Sequence, residues 1–210
     1  MADEWFRSPE WTTEAQADFE VRLKRSRASN RAQYLRIKGV RLRAAGNVEA
    51  ARELWLRVLD DDGPYAGMQH TAALEHLGDS YAAEDRERAE SYYRRLMRRP
   101  HLPSGTTGCF QISLAEVLLD RSTAADLEEA GELLGAWKEE ASMPFPSAHF
   151  RWELALIRLS EATGEHAGAR DAARRALKLV EQGPVFPRHK DVGLVRADER
   201  TVERLERLAR

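Results

Sequence analysis

Two histidines in this sequence are each followed by an acidic residue at helical spacing. His76 precedes Asp79 by three residues, and His149 precedes Glu153 by four. On a helix these spacings place both side chains on one face, so each pair could supply two ligands to a metal ion. A complete site would need further ligands from another helix, and the alternative interpretation is a pair of solvated or helix-pairing side chains. We therefore predict neither a metal nor another cofactor.

The remaining reactive residue types do not form a recognisable catalytic motif. Cys109 is the single cysteine, which excludes an intramolecular disulfide and a multi-cysteine metal site. It could act as a nucleophile only if a histidine lowered its pKa, and no cysteine-protease motif surrounds it, so we interpret it as a partly buried packing residue. The glycines at 105 and 108 lack the Gly-Lys-Ser/Thr ending of a phosphate-binding loop. We expect a protein that is not an enzyme.

Charge is segregated along the chain, although the formal net charge is only −2. Between Val21 and Val48 there are nine basic residues and no acidic residue. Between Gln111 and Glu165 there are eleven acidic residues and only four basic residues. The basic residues are Arg22, Lys24, Arg25, Arg27, Arg31, Arg36, Lys38, Arg41 and Arg43, and a second basic cluster comprises Arg94, Arg95, Arg98 and Arg99. Such a stripe could attract an acidic peptide, a nucleic-acid backbone or the acidic part of a second copy, and a solvated arginine-rich surface is the alternative.

Composition favours a folded intracellular protein. The chain has 210 residues, of which 42% are hydrophobic, and this is enough for a sizeable core. We identify no signal peptide and no run of 18 consecutive apolar residues, so we expect a cytoplasmic protein without a membrane partner. Arginine outnumbers lysine 28 to 5, which is typical of a GC-rich bacterial genome.

A recurring sequence pattern predicts the helices that carry the histidine–acid pairs and the charged residues described above. A small residue followed four positions later by a larger one occurs at Ala51 with Trp55, Ala89 with Tyr93, and Ala130 with Leu134, and a weaker copy pairs Ala169 with Ala173. Successive alanines lie 38, 41 and 39 residues apart. Prolines at 64, 100, 144 and 184 follow each copy, where a helix must stop. The pattern predicts four helical hairpins whose second helices carry these pairs.

The first helix of each hairpin follows from the same register. We predict these helices over 31–45, 67–83, 107–120 and 147–162, with the third followed by a lengthened turn at 122–125. A leading helix over 12–27, capped by Thr12 or Thr13, and a last helix from about Asp198 complete the prediction.

The second copy resembles the tetratricopeptide (TPR) repeat. Leu74 stands in the place of the family's tryptophan, Leu77-Gly78 is followed by Tyr81, Ala89 by Tyr93, and Pro100 closes the unit. The resemblance implies an all-α fold, a right-handed α-solenoid of about four TPR-like hairpins with a capping helix at each end. The implied boundaries are 1–28 for an aromatic N-terminal segment and cap, 29–64, 65–103, 104–146 and 147–182 for the repeats, and 183–210 for a C-terminal segment and cap.

In this family the first helices line a concave groove that binds peptides. Matching registers places the following residues in that groove: Arg36, Val40, Arg43, Glu75, Asp79, Ala82, Ile112, Glu116, Arg151, Leu154, Arg158 and Glu161. The resemblance therefore implies a non-enzymatic protein-interaction module for a protein or peptide of mixed charge, and a homodimer is also possible. The alternatives are nucleic-acid or other polyanion binding through the Arg22 to Arg43 stripe, which we rank lower, and a regulatory domain acting on a separate effector. The apolar segments 5–11 and 183–195 could themselves occupy the groove.

Overall fold

The computed structural model describes residues 4–99, 105–140 and 145–210, and every regular element in these ranges is helical. The all-α class is confirmed. Within these ranges, a 3-10 helix at Trp5–Arg7 precedes ten α-helices. These are α1 (Thr13–Arg25), α2 (Ala28–Ala44), α3 (Val48–Leu59), α4 (Ala66–Tyr81), α5 (Arg86–Met97), α6 (Phe110–Arg121), α7 (Ala124–Glu140), α8 (Pro146–Thr163), α9 (His166–Glu181) and α10 (Glu199–Leu208). Pro100 and Pro144, predicted as helix stops, lie outside the described residues.

Side chains explain where several helices begin. The Thr12 hydroxyl accepts a hydrogen bond from the Ala15 amide at 3.2 Å, and the Asp198 carboxylate accepts one from the Thr201 amide at 2.7 Å. Thr12 is one of the two caps predicted for α1, and α10 begins next to Asp198, where the last helix was predicted to start. The turn between α6 and α7 is shorter than predicted, because Asp126 accepts hydrogen bonds from the amide and hydroxyl of Thr123 and starts α7 at Ala124.

The chain divides into two compact units, residues 1–107 and 108–210. In the first unit α2 packs on α3 and α4 on α5, and α3 and α2 both contact α4. In the second unit α6 packs on α7 and α8 on α9, α8 contacts both α6 and α7, and α10 covers α9. Each unit therefore contains two consecutive helix pairs in which the first helices are neighbours.

Small residues let the paired helices approach closely. A Cβ atom at Gly39 of α2 would lie 2.4 Å from Nε1 of Trp55, and one at Gly78 of α4 would lie 2.5 Å from a ring carbon of Tyr93. Both aromatic rings are almost completely buried, as is every small or large residue of the repeated pattern. In the first two helix pairs, the large residue of the predicted pattern therefore lies at the contact between the paired helices.

Within the part of the chain that the structure describes, no helix has the length and apolarity needed to cross a membrane.

The core of the second unit continues to its end, where Val195 and Leu205 pack with the buried alanines of α9.

Candidate functional site

The two histidine–acid pairs are engaged in packing and hydrogen bonding. The His76 ring lies 5.1 Å from that of Trp55, and the Asp79 carboxylate accepts a hydrogen bond from the Tyr93 hydroxyl at 2.7 Å. His149 lies edge-on against Trp137, with ring centres 5.3 Å apart. Glu153, which is 4% exposed, accepts two hydrogen bonds from Arg175 at 2.7 and 2.9 Å. Among the described side chains, no group of three or more His, Cys, Asp or Glu is placed to hold a metal ion.

The basic stripe divides among several faces of the molecule. In a helix, residues seven apart return to nearly the same face, so Arg36 lies with Arg43 and Arg31 lies with Lys38. Five residues separate Arg31 from Arg36, which places them about 140° apart around α2. Arg41 points in a further direction and is exposed, as are Lys24, Arg25 and Arg27, while Arg22 pairs with Asp18 at 2.8 Å. The stripe is therefore continuous in sequence and discontinuous in space.

Lys38, predicted as part of an exposed basic patch, is only 2% exposed. Its ammonium group donates hydrogen bonds to the carbonyls of Ser8 at 2.8 Å and Glu10 at 2.9 Å, and it lies over the rings of Trp11 and Phe19. Burial lowers its pKa, and nearby Glu10 partly opposes this shift. The prediction fails here because Lys38 satisfies the backbone of the N-terminal segment, which the charge pattern along the chain does not reveal.

The aromatic segment at 5–11 packs on α1 and α2. Trp5 lies 5.2 Å from the rings of both Phe19 and Tyr34, and Phe6 stacks on Tyr34 at 4.6 Å. Tyr34 precedes Arg36 by two residues, which is about 200° around α2. The segment therefore covers a different face of α2 from the one that carries Arg36 and Arg43.

Arg36 and Arg43 form a seam between the first helices α2 and α4. The Arg36 guanidinium donates to the side-chain oxygen of Gln69 at 2.6 Å, and Arg43 donates to the backbone carbonyl of Asp79 at 3.1 Å. Both acceptors are uncharged, and no carboxylate of the described residues lies within ion-pair distance of either guanidinium. Val40 lies between the two arginines on the same face and is exposed. We call Arg36, Val40, Arg43 and their partners on α4 the α2/α4 seam.

The α2/α4 seam carries positive charge without a neighbouring carboxylate among the described residues. Burial lowers the pKa of Arg36, and no neighbouring carboxylate offsets that effect. His76, which follows Gln69 by seven residues on nearly the same face of α4, has its pKa lowered to about 4 by burial and by the charges of Arg36 and Arg43. Its ring is therefore neutral at pH 7. The seam thus carries two positive charges that the surrounding side chains do not neutralise.

In the second unit, α6 and α8 form a seam from the same predicted set of residues. Arg151 on α8 binds Glu116 on α6 through two hydrogen bonds and also donates to the Ser113 hydroxyl at 2.9 Å. Arg158, which follows Arg151 by seven residues or about two turns of α8, pairs with Asp120. In this α6/α8 seam each arginine therefore faces a carboxylate, and the charges cancel locally.

The other residues predicted to line the groove range from buried to exposed. Glu75 is 1% exposed and accepts hydrogen bonds from the amide and hydroxyl of Thr107 at 2.7 and 2.6 Å. Ile112 is fully buried, Ala82 and Leu154 are partly buried, and exposed Glu161 pairs with Arg204 at 2.7 Å. The prediction that Glu75 lines an open groove is wrong, because its buried carboxylate binds Thr107 in the loop before α6. With Thr107 held in this way, α6 begins at Phe110 and not at the predicted Thr107.

Sequence reasoning did not find Gln69 or the difference between the two seams. Gln69 precedes His76 by seven residues, so its place on the seam face of α4 was readable from helical spacing. The identity of the group opposite each arginine was not readable, because it depends on how far one first helix is shifted along the other.

Comparison with known proteins identified no relative. No protein-family model matches the chain, no curated protein is significantly similar in sequence, and no solved structure gives a significant match. A functional assignment therefore rests on the arrangement of the side chains.

Proposed function

We propose that this protein is a non-enzymatic protein-interaction module that binds an acidic segment of a partner protein along the α2/α4 seam. Each unit is interpreted as a stack of two TPR-like hairpins, the arrangement that builds a right-handed α-solenoid. The Gly39–Trp55 and Gly78–Tyr93 contacts support this interpretation, since they occupy the positions of the family's small and large packing residues.

One observation carries the functional proposal. Arg36 and Arg43 in the first unit are hydrogen-bonded only to uncharged acceptors, whereas Arg151 and Arg158 in the second unit face carboxylates. The partly buried guanidinium of Arg36 has lost part of its hydration and has gained no ionic partner, whereas Arg43 is exposed. An incoming carboxylate would supply that partner through charge-assisted hydrogen bonds.

The geometry of the seam restricts the ligand. Seven residues of helix separate the two arginines, which corresponds to about 10 Å along α2. Exposed Val40 between them offers an apolar contact. The best ligand is therefore a peptide with two acidic residues about 10 Å apart and an apolar residue between them. The sequence led us to expect a partner of mixed charge. For the α2/α4 seam we propose more specifically that the segment of the partner in contact with the two arginines is acidic.

Peptide selection tests the proposal. A library of random linear peptides is selected on the wild-type protein, and the affinity of an enriched peptide is then measured by fluorescence anisotropy. We expect enrichment of paired acidic residues. Because each charged hydrogen bond contributes about 1.5–3 kcal/mol, the double variant Arg36→Gln/Arg43→Gln should bind at least tenfold more weakly.

The second unit provides a matched control. The variant Arg151→Gln/Arg158→Gln removes the two arginines of the α6/α8 seam and should leave the peptide affinity unchanged. Equal losses from both double variants, or enrichment without acidic residues, would contradict the proposal. Tighter binding of a labelled single-stranded RNA, collapsing between low and moderate salt, would favour the polyanion alternative instead.

A further inference from the structure

A second candidate binding site lies on another face of the first unit. A cleft of about 400 Å³ opens among α1, α2 and the end of α3. Each helix contributes residues three or four positions apart, so one face of each turns toward the cleft. The lining residues are Glu20, Leu23, Lys24, Arg31, Leu35, Arg57, Asp60 and Asp61.

The cleft combines an apolar floor with a charged rim. Leu23 and Leu35 are 5% and 3% exposed and supply the apolar surface. On the rim, Arg57 donates two hydrogen bonds to Glu20 at 2.6 and 3.0 Å, so these two charges neutralise each other. Six of the eight lining residues are charged, so this cleft would recognise a ligand chiefly through the ligand's charges.

The other charged residues of the rim are not neutralised in this way. In the described parts of the chain, no oppositely charged group lies within ion-pair distance of Lys24, Arg31 or Asp60. Arg31 donates through Nη2 to the carbonyl of Lys24 at 3.3 Å, but its Nε is buried without an acceptor. A buried donor without a partner costs free energy, and because this Nε is closed to solvent, a ligand carboxylate would bind the outer nitrogens of the same guanidinium.

We propose that this cleft binds a small zwitterion with an apolar body, namely a short unmodified peptide or an apolar amino acid. The ligand carboxylate accepts hydrogen bonds from Arg31 and interacts with Lys24, and the ligand ammonium group interacts with Asp60. The apolar body covers Leu23 and Leu35. A ligand with only one charge would leave one side of the rim without a counter-ion, and the cleft therefore selects for both charges.

Isothermal titration calorimetry on the full chain tests this site. The probes are the dipeptide Leu-Leu, its N-acetyl derivative, which lacks the ammonium group, and its C-terminal amide, which lacks the carboxylate. We expect the dipeptide to bind at least tenfold more tightly than either derivative. Titration with free leucine then distinguishes an amino acid from a peptide as the preferred ligand.

Two variants locate the interaction. Arg31→Met should abolish the difference between the dipeptide and its amide, and Asp60→Asn should abolish the difference between the dipeptide and its N-acetyl derivative. The matched controls Arg25→Met and Asp62→Asn change charges outside this cleft and should preserve both differences. If a cleft variant fails to fold, the three probes on the wild-type protein still decide the question.

Binding that is equal for all three probes, or no binding of the dipeptide and of leucine up to their solubility limits, would overturn the proposal. The result is independent of the α2/α4 seam, since Arg31 and Arg36 lie on different faces of α2. Loss of one site in a variant therefore leaves the other measurable.

Discussion

Replacing Gly78 by alanine should destabilise the first unit although alanine is the better helix former. The added Cβ would lie 2.5 Å from a ring carbon of Tyr93, closer than non-bonded carbon atoms can approach. Tyr93 is 1% exposed, and its hydroxyl donates to the Asp79 carboxylate at 2.7 Å. The ring therefore has no free space to enter, and moving it would lengthen that hydrogen bond.

The magnitude follows from three contributions. Overpacking a filled core costs about 1–3 kcal/mol. Weakening the hydrogen bond between Tyr93 and Asp79 costs about 1 kcal/mol. The higher helix propensity of alanine returns about 1 kcal/mol. We expect a net loss of about 1–3 kcal/mol in the free energy of unfolding of the first unit.

Urea-induced unfolding followed by circular dichroism measures this loss, and hydrogen exchange of α4 and α5 peptides assigns it to the first unit. Gly67→Ala is the matched control, because it lies in the same helix and its added Cβ would meet no atom within 4 Å. It should be neutral or slightly stabilising. Equal effects of the two substitutions would refute the reasoning, as would additive costs in the double variant Gly78→Ala/Tyr93→Leu, where removing the ring should relieve the clash.

Two further predictions concern buried basic groups. The pKa of His76 is lowered in the folded state, so its contribution to stability is complete above about pH 6.5 and decreases as the pH falls toward 4, by at most about 3 kcal/mol. His76→Gln should therefore flatten the loss of stability between pH 6.5 and 5 in urea titrations, and an unchanged slope would contradict this. Lys38→Met keeps the apolar stem but removes both hydrogen bonds to the segment before α1. Amides of residues 5–11 should then exchange faster by mass spectrometry while those of α4 do not, and unchanged exchange of that segment would show that its ring contacts alone hold it.

Local patterns predicted the helices and their contacts well. Trp55 and Tyr93 could be identified as packing residues because each follows an alanine by four positions, in a pattern that recurs at intervals of 38 to 41 residues. The caps at Thr12 and Asp198 were predictable because a side-chain cap depends on residues only three positions away.

Properties that depend on several elements were not predictable in the same way. Lys38 and Glu75 are polar residues in surface-like contexts, yet both are buried, since each one satisfies backbone groups far away in sequence. For Lys38 the neighbouring signal was the cluster of aromatic residues in the N-terminal segment. Arg36 and Arg151 were both predicted to line the groove, but the group opposite each arginine is set by the relative shift of two helices. The difference in charge between the two seams therefore emerges only from the three-dimensional structure.

The most direct test of the central proposal is to map an acidic peptide on the protein by nuclear magnetic resonance. The peptide carries two acidic residues about 10 Å apart with leucine between them, and it is titrated into isotopically labelled protein. The account predicts that the largest shifts occur at Arg36, Val40 and Arg43 on α2 and at Gln69 on α4, and that they disappear in Arg36→Gln/Arg43→Gln. Shifts concentrated at the α6/α8 seam, or shifts that persist in that variant, would contradict it.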